Sequence, residues 1–253
     1  MKINILVVLL VLFITGPTPD NVLTRFKTPD GYKQMDVAPD SFSDWLQHLP
    51  LKPAGTPTRT YSGAIAQTNL YTAAVVDISV GNTDLQQCAD AVMRLRGEYL
   101  YHHKRYNDIS FNFVSGFKCD YIHYAHGYRY QHDKWVLKAG TDYSYPTFLK
   151  YMNLVFTYAG TLSLDKELHK VTSPDDLKAG DIFIHGGSPG HCFIVMDVAE
   201  NSKHEKQFLL AQSFMPAQNI QVLQDGSPWF SLNRPSGIAY GELINFKYLK
   251  RFE

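Results

Sequence analysis

Residues 186–198 read GGSPGHCFIVMDV, a loop of glycine, serine and proline that runs into an apolar stretch rich in β-branched and aromatic side chains. A short apolar run bounded by turn residues is the signature of a buried strand. Alternate side chains of a strand point to opposite faces, so His191, Phe193 and Val195 share one face, and Cys192, Ile194 and Met196 the other. On this reading Cys192 is core, and a thiol that meets His191 comes from elsewhere in the chain. The polar stretch AENSKHEK (199–206) reads as the loop of a hairpin, and KQFLLAQSF (206–214) as the returning strand. Counting through that hairpin places Gln212 across from the beginning of the first strand, close to His191. The flanking segments LKAGDIFIHGG (177–187) and NIQVL (219–223) continue the pattern of successive antiparallel strands.

Upstream the periodicity is helical. In GNTDLQQCADAVMRLRGEYLYHH (81–103), Leu85, Cys88, Val92, Leu95 and Tyr99 lie on one face, and Thr83 with Gln86 has the spacing of a capping box, so the expected helix starts at about Asp84. SFSDWLQHLPL (41–51) predicts a short helix capped by Ser41 or Ser43 and stopped at Pro50. SYPTFLKYMNLVFTYAG (144–160) predicts another, closed by Gly160. Helices first and a compact sheet afterwards make an α+β arrangement, with N-terminal helices packed on a C-terminal antiparallel sheet. One domain over 17–253 is expected from the length.

The first residues, MKINILVVLLVLFITGPTPD, give a lysine, an apolar run from Ile5 to Ile14 and then small and turn-forming residues. This is a secretory signal pattern, assigned to 1–16, and its apolar run is too short to span a bilayer unaided. Export to a periplasm or cell envelope is therefore expected, with membrane contact only through the signal segment if it stays uncleaved. The composition is that of a globular chain, with 45% hydrophobic and 19% charged residues. Twenty-four basic residues balance twenty-four acidic ones without a basic cluster, which argues against nucleic acid as a partner.

Three cysteines, Cys88, Cys119 and Cys192, allow at most one internal disulfide and leave at least one thiol over. Thiol catalysis needs a cysteine whose thiolate is favoured, a histidine to share its proton and a polar group to hold the imidazole. Cys88, near a helix start, His191 and Gln212 make such a triad; a core cysteine, or a Cys88–Cys119 disulfide, is the alternative. Gln86 and Gln87 flank the thiol, either able to donate to a developing oxyanion, with Gln87 favoured. Arg94 and Arg96, on the same helix, are candidates for holding a substrate carboxylate. The aromatic segment Tyr121 to Trp135, including Tyr124, can line a cleft or simply pack. The histidines show neither HExxH nor any other recognised ligand spacing, and no CxxC occurs, so neither a metal nor another cofactor is expected.

LQQCADAV on a helix, then AGDIFI, GHCFIVMDV and FLLAQS, resembles the motif order of the NlpC-type papain-like cell-wall peptidases and related amidohydrolases. The correspondence covers Cys88, Gly180, Asp181, His191 and Gln212 and implies a papain-like core and cleavage of an amide bond, with a peptide or peptidoglycan-like substrate. Gln87 precedes the cysteine where that family commonly has aspartate, and Asp90 follows at a distance where an inward carboxylate opposes a thiolate. DLQQCADAVMRLRGEYLY, PGHCFIVMDVA and FLLAQSFMPAQNIQVL resemble the blocks of a family of exported bacterial proteins, domain of unknown function 4846, from about residue 24 onward. The rival expectations are a non-catalytic envelope module on the same fold and another thiol-dependent acyl transferase.

Overall fold

The computed structural model describes residues 20–253; the signal pattern lies outside them. In chain order the elements are α1 (Val22–Arg25), β1 (Tyr32–Gln34), α2 (Phe42–Gln47), β2 (Thr72–Val75), α3 (Cys88–His102), β3 (Ser110–Asn112) and β4 (Lys118–Asp120). Then come α4 (Tyr121–Ala125), β5 (Tyr128–Gln131), β6 (Lys134–Leu137), α5 (Tyr145–Tyr158), α6 (Thr161–Glu167) and β7 (His169–Lys170). The last part holds β8 (Ile182–His185), β9 (His191–Asn201), β10 (Lys206–Gln212), β11 (Gln221–Leu223), β12 (Trp229–Phe230) and β13 (Leu249–Arg251). Among the described residues no helix is long and apolar enough to cross a membrane.

The fold is α+β, built on an antiparallel sheet in the order β2-β11-β10-β9-β8-β13-β7, with β1 beside the far end of β9 and β12 beside β10. The apolar run that begins at His191 is its longest strand, pairing with β8 through His185↔His191 and Ile184↔Cys192 and with β10 through Ala211↔Ile194. A bulge sets Leu209 opposite Asp197 but Leu210 opposite Val195, which leaves Met196 as the extra residue. Before the bulge the alternation holds. Cys192, Ile194 and Met196 pack under the helices with Val92, Leu95, Met152 and Val155, while Phe193 and Val195 join Phe183, Phe208 and Leu249 on the opposite face. Each of the fully buried Val, Leu, Ile, Met and Phe side chains among these contributes roughly 1.5–3 kcal/mol of apolar burial.

Two early segments depart from the helices-then-sheet expectation, because β1 and β2 leave the N-terminal half and join the sheet. Polar side chains fasten β1 and α2 to it. Asp197, buried on β9, accepts hydrogen bonds from Gln34 Nε2 on β1 at 3.0–3.1 Å and from Gln47 Nε2 on α2 at 2.7 Å, and burial raises its carboxyl above the usual range. α2 is capped by Ser41, whose hydroxyl accepts from the Asp44 amide. The helix expected over 144–160 ends at Tyr158, and Gly160 is also the N-cap of α6.

Candidate functional site

α3 begins at Cys88, not Asp84, and this correction decides the site. Asp84 Oδ1 accepts from the Ala217 amide at 2.6 Å and from Gln87 Nε2 at 3.2 Å, which ties the segment before the helix to the bend after β10. Ser213 strengthens the tie, its Oγ lying 2.9 Å from both Gln86 O and Gln218 O. Gln87 is extended, and its amide donates to Asp90 Oδ2 at 3.0 Å, so Gln87 and Asp90 are the cap that Thr83 and Gln86 resembled. Cys88 is thereby the first helical residue. First-turn amides have no intrahelical acceptor, and a thiolate there is favoured by them and by the helix dipole. The helical ladder begins with Ala91 N donating to Gln87 O, and the Ala89 amide helps to lower the Cys88 thiol.

The sheet supplies the other groups. His191 opens β9 and is buried; its Nε2 lies 2.7 Å from Gln212 Oε1, at the end of β10. With the amide carbonyl as acceptor, Nε2 carries the proton and Nδ1 is the nitrogen left for the thiol. Three rings hold the imidazole: Tyr240 stacks on it at 4.7 Å with an interplanar angle of 19°, and Phe193 and Phe214 approach at 4.8 and 5.2 Å. Tyr240 reaches it from the C-terminal segment with a left-handed backbone (φ 61°), a contact that no local sequence pattern announces.

Cys192 and His191 are the neighbours that act on the Cys88 thiol. The Cys192 thiol is the largest influence holding Cys88 well below the ordinary thiol range; burial opposes it, and His191 adds a hydrogen bond and its charge. Cys192, fully buried, is pushed the other way by its bond to Cys88 and by burial, so it remains the protonated donor. Strand alternation does put Cys192 in the core under the helices, but it is not a bystander, since it and His191 both act on the Cys88 thiol. His191 is the first position of β9, and from there it acts on the Cys88 thiol alongside Cys192. Cys119 is free and buried on β4, its thiol raised by burial, and all three thiols are unpaired.

Asp90 is buried, with burial driving its carboxyl well above the usual carboxylate range. The charge of Cys88 pushes the Asp90 carboxyl in the same direction. Its Oδ1 has no hydrogen-bond partner. Cys88, Gln87 and Asp90 line an open groove of about 290 Å³ whose far wall is Phe156, Thr161 and the loop 187–190. The loop needs glycine: a Cβ on Gly190 stands 2.4 Å from Thr161 Oγ1 and 2.6 Å from Gly187 O, and one on Gly186 stands 2.7 Å from Asp165 Cβ.

The other expected substrate contacts lie elsewhere. Arg94 is buried in a pair with Glu98 at 2.6 Å, with Gln86 and Tyr145 on its other nitrogens, so its donors are occupied. Arg96 donates to Glu253 O and packs on Phe42, Tyr99 and Phe252. Tyr124 packs on Tyr151 and carries the Arg129 guanidinium 4.1 Å above its ring; Trp135 stacks on His123. Neither lines the groove, and the aromatic segment is packing. Asp181 grips Arg251 through both oxygens at 2.9 Å and joins β8 to β13 rather than doing chemistry. Among the described residues no cluster of histidine, cysteine and carboxylate side chains has the form of a metal site.

The sequence model of the family described as Domain of unknown function (4846) matches residues 22–249, and the chain belongs to that family. Neither the curated proteins nor the solved structures contain a match.

Proposed function

We propose that this member of the family is an exported thiol hydrolase with a papain-like, NlpC-type core that cleaves an amide bond in cell-wall peptide, in the periplasm or cell envelope. The observation that carries the reading is the pairing of buried His191 Nε2 with Gln212 Oε1 at 2.7 Å, together with a Cys88 that opens a helix and whose thiol is held below the ordinary range by Cys192 and His191. Cys88 attacks the scissile carbonyl carbon, and a tetrahedral oxyanion forms. The Cys88 amide, without an intrahelical partner, donates to that oxygen. His191 holds the thiol proton and delivers it to the departing amine, and water then releases the acyl group with His191 as base. Gln212 keeps the ring in the tautomer and orientation that both steps need.

Two measurements test the reading. Alkylation of the native protein by iodoacetamide, followed across pH by peptide mapping, is expected to show Cys88 reacting as a thiolate well below the pH of an ordinary cysteine, while Cys119 and Cys192 react only in denaturant. Cell-wall muropeptides incubated with the protein are expected to be cleaved at an amide bond, and Cys88→Ala to abolish cleavage with the fold intact by circular dichroism. A Cys88 that is inert until denaturation supports a non-catalytic envelope module instead. A Cys88 that forms an acyl-enzyme resolved by amines in preference to water supports an acyl transferase.

A further inference from the structure

His191 is held at one nitrogen by a hydrogen bond and on one face by a ring. The bond from Nε2 to Gln212 Oε1 at 2.7 Å sets where that nitrogen sits. It does not by itself set the plane of the imidazole, because rotation of a histidine ring about its Cβ–Cγ bond is soft. The plane is set by Tyr240, whose ring lies 4.7 Å away at 19°, with Phe193 across the imidazole at 76° and Phe214 tilted at 55°.

Tyr240 stands there at a conformational cost. Its φ of 61° is a left-handed backbone that a bulky residue rarely adopts, and such outliers persist where the surroundings over-determine them and cluster at functional sites. Here the surroundings are a tight turn anchored at both ends. The Asp225 carboxylate accepts from Ser236 Oγ and from the Gly237 amide, both at 2.8 Å, and Leu243 N donates to Tyr240 O at 2.9 Å. A Cβ on Gly241 would stand 2.4 Å from Ser236 O, so the turn has no slack. Ile238 and Leu243 are buried in the core of the sheet face that carries Phe193, whereas Tyr240 is only half-buried. Glycine would adopt this backbone without strain; what tyrosine adds is a flat face against His191.

We infer that Tyr240 is a positioning residue for the thiol–imidazole pair: its ring fixes the plane of His191, so that the nitrogen left for Cys88 keeps one direction while Gln212 holds the other. This deepens the thiol-hydrolase reading and rests on it. The ring face makes the contact, so the hydroxyl is dispensable.

The Cys88 thiol reports the orientation of the imidazole without a substrate, because His191 is one of the groups that lower it. Alkylation of Cys88 by iodoacetamide is followed by mass spectrometry from pH 5 to pH 10 in wild type, Tyr240→Phe, Tyr240→Leu and Tyr240→Gly, each checked for folding by circular dichroism. In this reaction the thiolate attacks the methylene carbon, a thioether forms and iodide leaves with the bonding electrons. Tyr240→Phe keeps the flat face and is expected to follow the wild-type profile. Tyr240→Leu fills space without a flat face, and Tyr240→Gly removes the ring while suiting the left-handed backbone. Both are expected to react about three- to tenfold more slowly than wild type at pH 6 and to converge with it near pH 10, where a thiol ionises whatever its neighbours. Convergence separates orientation from lost packing or access, which would slow the reaction alike at every pH. Tyr240→Gly preserves the test if Tyr240→Leu folds poorly. A wild-type profile in the folded ringless variants, a slowing by one factor at every pH, or a Tyr240→Phe as slow as Tyr240→Leu overturns the inference while the hydrolase reading stands. Failure of both ringless variants to fold also overturns it, by assigning the ring to stability. A wild-type Cys88 that is inert until denaturation overturns both.

Discussion

At the scale of single residues, the site is an arrangement for dividing one proton among neighbours. Cys192 favours the Cys88 thiolate from the buried core and His191 from the start of β9, so two different groups lower the thiol. Cys192→Ala removes the larger of these influences. The Cys88 pKa is then expected to rise toward the ordinary thiol value, and alkylation at pH 6 to slow, because less thiolate is present at that pH. An unchanged pH profile for alkylation would mean that the sulfur contact does not set the ionisation. Gln212 acts through the ring. Gln212→Ala is expected to lower kcat/KM for amide cleavage by about ten- to a hundredfold, part of what a well-placed acid–base group supplies. Gln212→Asn, with the same carbonyl on a shorter arm, should recover some of it. Equal rates for the wild type and Gln212→Ala would remove the glutamine from the mechanism. His191 and Gln212 were legible because strand alternation and hairpin counting act over a few residues. Tyr240 was not, since its stacking on His191 depends on where a segment far along the chain returns.

Elements decide whether those residues meet. The thiol reaches the first helical position because Asp84 is occupied by the Ala217 amide, so the bends and turn over 82–85 stay tied to the segment after β10 and the helix cannot start there. In the sequence, Thr83 and Gln86 offered a stronger-looking cap than Gln87 and Asp90. Local pattern ranks caps by residue type and cannot weigh a tertiary hydrogen bond to Asp84. The loop between β8 and β9 is the second element-scale control, for it sets both the start of β9 and the far wall of the groove. Gly190→Ala brings a Cβ into Thr161 and the Gly187 carbonyl, and the loop must move to admit it. Its expected cost is about 1–3 kcal/mol, read as a lower midpoint in urea, together with a larger fractional loss of cleavage than of folded protein. Gly140→Ala, where a Cβ meets nothing within 4 Å and φ is not left-handed, is the control and should leave both near the wild type. Gly190→Ala with wild-type stability and activity would show that the loop tolerates displacement and does not position His191.

For the whole molecule the question is what keeps the two ends of the sheet in one body, since the groove is built from both halves of the chain. The antiparallel core of β8, β9 and β10 follows from short apolar runs separated by turns. The attachment of β1, β2 and β13 does not, because three- and four-residue strands carry too little pattern to announce a distant partner. Their positions depend on specific long-range ties, of which Asp181 with Arg251 is the most exposed to test. Asp181 is fully buried, and burial raises its carboxyl even though Arg251 and the Lys178 amide pull it down. A carboxyl with a raised folded-state pKa binds more protons folded than unfolded, so its contribution to stability is present at low pH and lost as pH rises through the folded value. Arg251→Ala takes away the opposing cation and pushes that value higher still, which widens the window of loss. The variant is therefore expected to be destabilised by about 2 kcal/mol at pH 8, below the range for a fully buried pair because the Arg251 side chain keeps 26% of its surface in solvent. At pH 5 the deficit should shrink, since the proton neutralises the stranded group. Urea denaturation of wild type, Arg251→Ala and the double variant Asp181→Asn/Arg251→Ala at both pH values separates charge from packing. A deficit that does not grow between pH 5 and pH 8, or one that persists with the same pH slope in the double variant, would assign the clamp to packing alone.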